Sequence, residues 1–383
     1  MKKLTVIGKG TVGALTVAHF LKYTNWDIDW VFDENIPTTS VGEATNLRLP
    51  TELQKSLNFQ HNDLLEIKGT VKQGIYKKYW GKGCDYLHPF PVNTSAIHFN
   101  AKELHGKIFK MVEKNPKLKI INKYIKDPEK VESDFVMVCS GIPKELNDDF
   151  VVLDKIPVNA VYVTQCDWDY PRFTYSLTNA MQHGWIFGIP LQNRISIGYL
   201  YNDKITSLNE VKKDVKNVFK EYNLNPSDKT NHLTFNSFYR KNNFSKKVVY
   251  NGNASFFLEP LEATSTGFSS DINRWAWDLW NGNLSEKESQ SLYENELNNI
   301  ENMILLHYMS GSIYNNEFWK KAKKDATSKI KKEFNDKTNW SNFVLNAVNG
   351  YEQGELELGT WGSFNYNLNI DKLGLKNKIK GFI

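Results

Sequence analysis

Three scarcities frame the sequence. Cysteine occurs three times in 383 residues, at Cys84, Cys139 and Cys166, with no Cys-x-x-Cys spacing. That argues against a disulfide framework and a thiolate zinc site; no metal is expected, and a reducing, cytoplasmic setting fits best. No apolar run reaches the roughly 18 to 20 residues of a membrane span, so no membrane partner is expected. Charge of one sign never gathers: 48 Lys plus Arg against 43 Asp plus Glu leave +5, scattered in short basic doublets. Nothing in that pattern argues for nucleic acid. What is present is globular, with 40% hydrophobic and 24% charged residues, enough apolar surface to close a sizeable core. Aromatic residues reach 13%, more than such a core requires, which points to a pocket or interface lined by rings.

The start, MKKLTVIGKGTVGALTVAHFL, has the basic and apolar look of a signal peptide, but Gly8, Gly10 and Gly13 interrupt it. The periodicity also changes within it from strand to helix, so it reads as the first βα unit of a domain. A strand is predicted at 3–7, an amphipathic helix at 11–23 and a second strand at 28–32, ending at Asp33 and Glu34. Asn100 is placed to cap a helix through 115, and strands are predicted at 117–122 and 134–141. From about 151 to 201 the pattern becomes β-branched and aromatic runs separated by turn residues, as in an antiparallel sheet. A capped helix is expected at 207–222 and a strand at 232–240, and from about 271 onward helical periodicity with aromatic faces dominates. Those aromatic helices are a candidate surface for a homo-oligomer.

Gly8-x-Gly10-x-x-Gly13 falls between the first strand and the helix, with Asp33 twenty residues beyond Gly13. In that context the glycines permit a tight turn and close approach of backbone to a pyrophosphate, contacted around Gly8, Gly10, Thr11, Val12 and Gly13. Asp33 or Glu34 can accept from a ribose. The motif alone does not separate NAD from FAD.

Further segments bear on that choice: Val41-Gly42-Glu43-Ala44-Thr45, Thr70-Val71-Lys72, His88-Pro89-Phe90, residues 134–141 (DFVMVCSG), residues 184–190 (GWIFGIP), residues 257–264 (FLEPLEAT), Leu306-His307-Tyr308 and Phe318-Trp319. Together, and in this order over most of the chain, they resemble the flavin-dependent tryptophan halogenases. The last few dozen residues depart: family members acting on free tryptophan have a longer C-terminal region. The resemblance is thus to a short member with a truncated C-terminal region, and implies a smaller indole, a phenol or another small aromatic substrate.

The fold it implies is α/β: an FAD-binding Rossmann-type domain, glutathione-reductase-like and flavin-monooxygenase-like, with an antiparallel β-sheet substrate lobe and a C-terminal helical region. The expected boundaries are 1–60, 96–150 and 248–285 for a discontinuous FAD-binding domain, 61–95 and 151–247 for the substrate lobe, and 286–383 for the helical region. The implied activity uses FADH2, O2 and a halide (chloride, bromide or iodide) to make hypohalous acid, which a lysine delivers to an electron-rich ring. No NAD(P)H site is visible, so a separate flavin reductase is the implied partner.

The residue roles follow from the same resemblance. Gly42, Glu43, Ala44 and Thr45 match the strap between flavin and active site, and Asn253 stands where an aspartate near the ribityl chain is usual. Lys72 matches the catalytic lysine; taken alone it would read as a surface charge. It alternates with Val71 and Gly74 and so is predicted to point inward, while Lys77 and Lys78 face water. Glu262 matches the glutamate that stabilises the arenium ion and takes the ring proton. Halide is expected at the N–H groups of Thr264 and Ser265; the family's Ser-Thr-Gly is altered here to Ala263-Thr264-Ser265, which puts bromide or iodide at least level with chloride. His88, Pro89 and Phe90 match substrate contacts. Trp185, Phe187, Ile189 and Pro190 match the partition between flavin and substrate, with Phe187 in place of a tryptophan. Two rivals stand beside this: an FAD-dependent aromatic hydroxylase, and a flavin-binding protein without turnover.

Overall fold

A computed structural model describes residues 2–37, 42–82, 85–349, 357–358 and 360–382. Val41 and Cys84 lie outside the described residues. The chain divides into two compact units, Met1–Val71, Ser95–Val152 and Phe238–Asn295 forming the first, Lys72–Thr94, Leu153–Ser237 and Glu296–Ile383 the second.

The first unit is built on a five-stranded sheet in the order Val248–Tyr250, Phe135–Val138, Lys3–Ile7, Asp27–Phe32, Leu118–Asn122, every pair parallel. A parallel sheet is covered on both faces, which is why successive residues, Leu4, Thr5 and Val6 on one strand and Val136 and Met137 on another, are all buried. Helix Thr11–Tyr23 covers one face with Ala14, Leu15, Val17, Ala18 and Phe20. Asn100 caps helix Ala101–Val112 as expected, its side chain accepting from the N–H groups of Lys102 and Glu103. A second, three-stranded sheet has the order Gly42–Ala44, Ala96–Asn100, Thr70–Lys72.

The second unit centres on a seven-stranded sheet: Asn225–Thr234, Ala160–Asp167, Arg194–Tyr201, Gly184–Pro190, Tyr175–Met181, Gly74–Lys78, Tyr86–Pro89. Its neighbours run antiparallel except Tyr175–Met181 beside Gly74–Lys78, which are parallel. Helix Leu208–Glu221 is capped reciprocally by Ser207 and Glu210 and buries Val211, Val215 and Val218, one helical stripe. Downstream, Trp80 meets Tyr308 and Trp319 edge to face at 5.7 and 5.4 Å. Their indole N–H groups donate to strand carbonyls, Trp80 to Thr178 and Trp319 to Met181, each at 2.9 Å.

The α/β architecture is the one expected, but the single strand predicted at 232–240 is not formed. It breaks between Thr234 and Phe238, the first piece closing the seven-stranded sheet and Phe238–Arg240 joining a different sheet. The ladder is given up there because Phe235 N–H donates to Asn159 and the Ser237 carbonyl accepts from Leu153, both at 2.8 Å. Strand Asn225–Thr234 is a polar sheet edge with almost every side chain exposed, so it lacks the apolar alternation by which strands are read.

Candidate functional site

In the first unit, strand Lys3–Ile7 ends at Gly8, whose φ of +114° only glycine adopts readily; a Cβ there would lie 2.3 Å from the Cys139 carbonyl oxygen. A Cβ on Gly13 would lie 2.1 Å from the Gly8 carbonyl oxygen, and Trp30 donates its indole N–H to that same oxygen at 2.8 Å. Gly8 and Gly13 are therefore required for packing. Gly10 is different, because a Cβ on it would meet nothing within 4 Å. Gly10 caps helix Thr11–Tyr23, which has no side-chain cap and no acidic residue in its first turn. The first-turn N–H groups around Thr11, Val12 and Gly13 thus face an open cradle with a positive end, which suits a phosphate.

Other predicted cofactor residues collect around the same helix start. A Cβ on Gly252 would come within 3.0 Å of Val12, which sets the turn Gly252–Ala254 against the loop, with Asn253 exposed. Asn251 fixes this turn by accepting from Gly252 N–H at 2.6 Å and donating to Asn273 at 2.8 Å; Thr16 of the first helix donates to the same Asn273 oxygen at 3.0 Å. Asp33 closes the second strand, its Oδ1 accepting from the backbone and side chain of Asn35 at 2.9 and 3.0 Å. Glu34 is exposed, and its carbonyl accepts from Lys9. The cradle and the acidic strand end fit a dinucleotide such as FAD.

Gly42, Glu43 and Ala44 form a strand paired with Ala96–Asn100. Desolvation pushes the Glu43 carboxyl up to about 7, although the residue retains some solvent contact. Thr45 is buried and bonded twice to Ile97 at 3.0 Å, once through its N–H and once through its hydroxyl. The next residue, Asn46, has a buried Nδ2 without a partner among the described residues. A Cβ on Gly267 would lie 2.0 Å from that nitrogen, so the strap leads directly onto the first turn of helix Ser265–Trp280. Before this helix the chain turns through Pro260–Ala263, closed by Ala263 N–H to the Pro260 carbonyl at 3.1 Å. Ala263 takes a left-handed φ of +52°, a conformation that costs a non-glycine residue about 1 kcal/mol. Glu262 and Thr264 are buried and Ser265 is exposed; the helix starts without a side-chain cap or a first-turn acid. Thr266 adds a buried hydroxyl with no partner among the described residues. Asn46 and Thr266 carry no signal in the sequence because each is an ordinary polar neighbour of a motif residue, distinguished only by burial.

Lys72 opens the second unit. It is 1% exposed, and its ammonium sits 5.4 Å from the centroid of the Phe90 ring, a favourable cation–π distance. Phe90 N–H donates to the Gln73 carbonyl at 2.9 Å, so the two predicted residues are joined through adjacent backbone. His88 and Pro89 lie on strand Tyr86–Pro89, paired with Gly74–Lys78. His88 is 2% exposed, and Asn365 lies 2.8 Å from its Nε2. On strand Gly184–Pro190, Trp185, Ile189 and Pro190 are buried and Phe187 half-buried; the Trp185 and Phe187 rings stand 6.5 Å apart on one face of the sheet. The lysine and the ring residues thus share the second unit, while Glu262, Thr264 and Ser265 belong to the first.

One expectation is overturned here. Lys77 does not face water: it is 0% exposed, its ammonium 2.7 Å from His307 Nε2 and 3.1 Å from Asn369 Oδ1. Tyr86 donates to the same Asn369 oxygen at 2.9 Å. Lys78 is partly shielded and pairs with Glu221 at 2.5 Å. The residues that enclose Lys77 come from helices near the C-terminal end, which the local alternation of its strand does not reveal.

Residues 3–107 and 92–353 match the protein family described as tryptophan halogenase. Tryptophan 7-halogenase KtzQ of Kutzneria sp. (strain 744) is 26% identical over 147 residues, 36% of this chain; the match spans 27% of that relative's length, well short of the whole. The fold superposes on BrvH, a flavin-dependent halogenase from Brevundimonas sp. BAL3, with a TM-score of 0.80 at 18% identity over 98% of this chain and 90% of that one. It superposes on Xcc4156, a flavin-dependent halogenase from Xanthomonas campestris, with a TM-score of 0.80 at 17% identity over 100% and 94%. At these identities the superpositions speak for the fold. Among the described residues no helix is long and apolar enough to cross a membrane.

Proposed function

The chain belongs to the tryptophan halogenase family, and from that premise we propose that it is an FADH2-dependent halogenase of small, electron-rich aromatic compounds. When bound, reduced FAD together with O2 supplies the oxidising equivalents that turn halide into hypohalous acid. The four electrons that O2 requires would come two from the flavin and two from the halide, with water as the other product. In the second half-reaction the ring exchanges a proton for halogen and a second water is released. A separate flavin reductase returns the cofactor to its reduced form.

The residues divide the work as follows. The backbone at Gly8, Gly10, Thr11, Val12 and Gly13 receives the pyrophosphate, Asp33 or Glu34 the ribose, and Asn253 the ribityl chain. The strap Gly42–Thr45 would contact the flavin. N–H groups at Thr264 and Ser265 hold the halide, and the buried Thr266 hydroxyl is a further donor for it. The Lys72 ammonium donates a hydrogen bond to the hypohalous acid and orients its halogen toward the ring. Glu262 stabilises the cationic ring and then takes its proton. His88, Pro89 and Phe90 hold the substrate, and Trp185, Phe187, Ile189 and Pro190 keep it from the flavin.

The observation that carries this reading is the burial of Lys72 against Phe90. Placing an ammonium in the interior costs several kcal/mol, and a small polar oxidant beside an aromatic ring is what such a group is suited to hold. The test is an aerobic reaction of the protein with FAD, a flavin reductase, NADH and one halide at a time, analysed by mass spectrometry over small indoles and phenols. Halogenated product is expected with bromide or iodide at least as readily as with chloride. Lys72→Ala should lower product formation about a thousandfold while flavin reoxidation continues. Hydroxylated product independent of halide would establish a monooxygenase; flavin oxidation without any product would leave only flavin binding; undiminished halogenation by Lys72→Ala would remove the lysine from the mechanism.

A further inference from the structure

The orientation of one side-chain amide decides where a proton sits on His88. Asn365 lies in the first turn of helix Ser363–Lys372 and accepts from Gly362 N–H at 2.9 Å through its Oδ1. A backbone N–H only donates, so the amide oxygen must face Gly362 and the NH2 group must face the other way. There Nδ2 lies 2.8 Å from His88 Nε2. The amide NH2 also only donates, so Nε2 has to be the bare, accepting nitrogen and the neutral ring carries its proton on Nδ1.

The helix carrying Asn365 is itself pinned one turn further on. Asn369 accepts from Lys77 and Tyr86 through Oδ1 and donates to the Asn365 carbonyl at 2.9 Å. The same logic fixes His307, which donates from Nδ1 to the Met303 carbonyl at 2.9 Å and accepts at Nε2 from Lys77 at 2.7 Å. Two buried histidines of this unit thus share one tautomer; Asn365 bonds one of them directly, and Asn369, four residues on, bonds the Lys77 that donates to the other.

We propose that Asn365 is a positioning residue that holds His88 as the neutral Nδ1–H imidazole, so that an electron-rich ring and not an imidazolium stands beside the aromatic substrate. The proposal rests on the reading of His88 as a substrate contact. During electrophilic substitution the substrate ring gains a positive charge when the halogen bonds to carbon, and loses it when the proton leaves. A neutral imidazole face stabilises that charge, whereas an imidazolium repels it. A donor fixed at Nε2 opposes protonation there, because two N–H groups would point at one another. The substrate class favoured is a neutral indole or phenol whose only charge is the transient one.

The test is NMR of the full chain labelled with 15N-histidine, with the His88 signals identified by their loss in His88→Phe. The wild type should show a protonated Nδ1 and a bare Nε2 near pH 7. Asn365→Asp, of the same shape, replaces the donor by a carboxylate acceptor, which should draw a second proton onto Nε2 and make His88 an imidazolium. The kcat for indole halogenation should then fall about tenfold or more with KM changed far less, because a charge that opposes the transition state has been introduced. Flavin reoxidation should stay at the wild-type rate. Asn365→Ala should give a mixture of tautomers and an intermediate kcat. A wild-type Nε2–H signal, or Asn365→Asp with unchanged His88 protonation and kcat, would overturn the proposal. A wild type with the expected Nδ1–H signal that halogenates no aromatic would instead overturn the halogenase reading and leave the tautomer assignment standing.

Discussion

The two units present polar groups in different ways. In the first, the groups facing outward at the cofactor loop are backbone N–H groups, exposed because Gly10 lacks a side chain and the helix start lacks a cap. In the second, the groups set apart are side chains: Lys72, Lys77 and His88 are at most 2% exposed. A backbone cradle needs no burial of charge and is specified by a few glycines. A buried ammonium must be surrounded by acceptors from distant elements, so its environment is spread over the sequence. The first unit should therefore be sensitive to added volume, the second to lost partners.

The largest effect that would sharpen this contrast is at Lys77. Lys77→Ala removes the donor to His307 Nε2 and one of the two donors to Asn369 Oδ1, leaving Tyr86 on the latter, and opens a cavity, and denaturant titration should show a loss of about 4 kcal/mol; a loss under 1 kcal/mol would mean the network is dispensable. In the first unit, Gly13→Ala sets a Cβ against the Gly8 carbonyl and should cost about 3 kcal/mol. Gly10→Ala, with open space before it, should leave the melting temperature of the flavin-free protein unchanged. It should weaken FAD binding about tenfold or more by occupying the phosphate cradle. Equal destabilisation by both substitutions would break the distinction between packing glycine and cradle glycine.

Glu43 tests how the first unit, in which Glu259, Glu262 and Asp271 are buried, carries a further shielded carboxyl. Its carboxyl is raised from the ordinary 4.5 to about 7, so between those values the folded chain holds a proton that the unfolded chain has released. Stability attributable to this group falls as pH rises through that window and is constant above it. Glu43→Gln should be neutral at pH 4 and, with a discount for residual solvent contact, stabilising by about 2 kcal/mol at pH 8. The smallest effect belongs to Asn302, a fully buried side chain whose amide nitrogen and oxygen both lack partners among the described residues. Asn302→Leu should stabilise by about 1 kcal/mol; a loss instead would place this amide with Lys77 among polar groups that the second unit needs.

What was legible in the sequence follows the same division. The glycine loop, the strand before it and the helix after it are local in sequence, and so are the caps at Asn100, Ser207 and Glu210, because each bonds within a few residues. The inward turn of Lys72 was also readable, from alternation with Val71 and Gly74. Alternation failed for Lys77, since its partners His307 and Asn369 lie 230 and 292 residues away. The predicted strand at 232–240 failed because the chain changes sheets inside it, held by Asn159 and Leu153. Asn365 carries no motif at all, and its significance comes from a bond to a histidine 277 residues earlier.

The Cys139 carbonyl that closes on Gly8 belongs to a residue with a second consequence. Its thiol is buried, bonded to Thr16 and pushed up to about 12; Cys166 is buried and likewise pushed up to about 12. Met137, Met181, Met303 and Met309 are buried as well, with Met111 partly exposed. Sulfur is the atom that a stray hypohalous acid consumes soonest, and thiolate character and exposure set how quickly. Packing chosen to close a glycine turn thus also withholds oxidisable sulfur from the reagent the protein is proposed to make, so that among the described residues damage to the catalyst would be expected first at Met111.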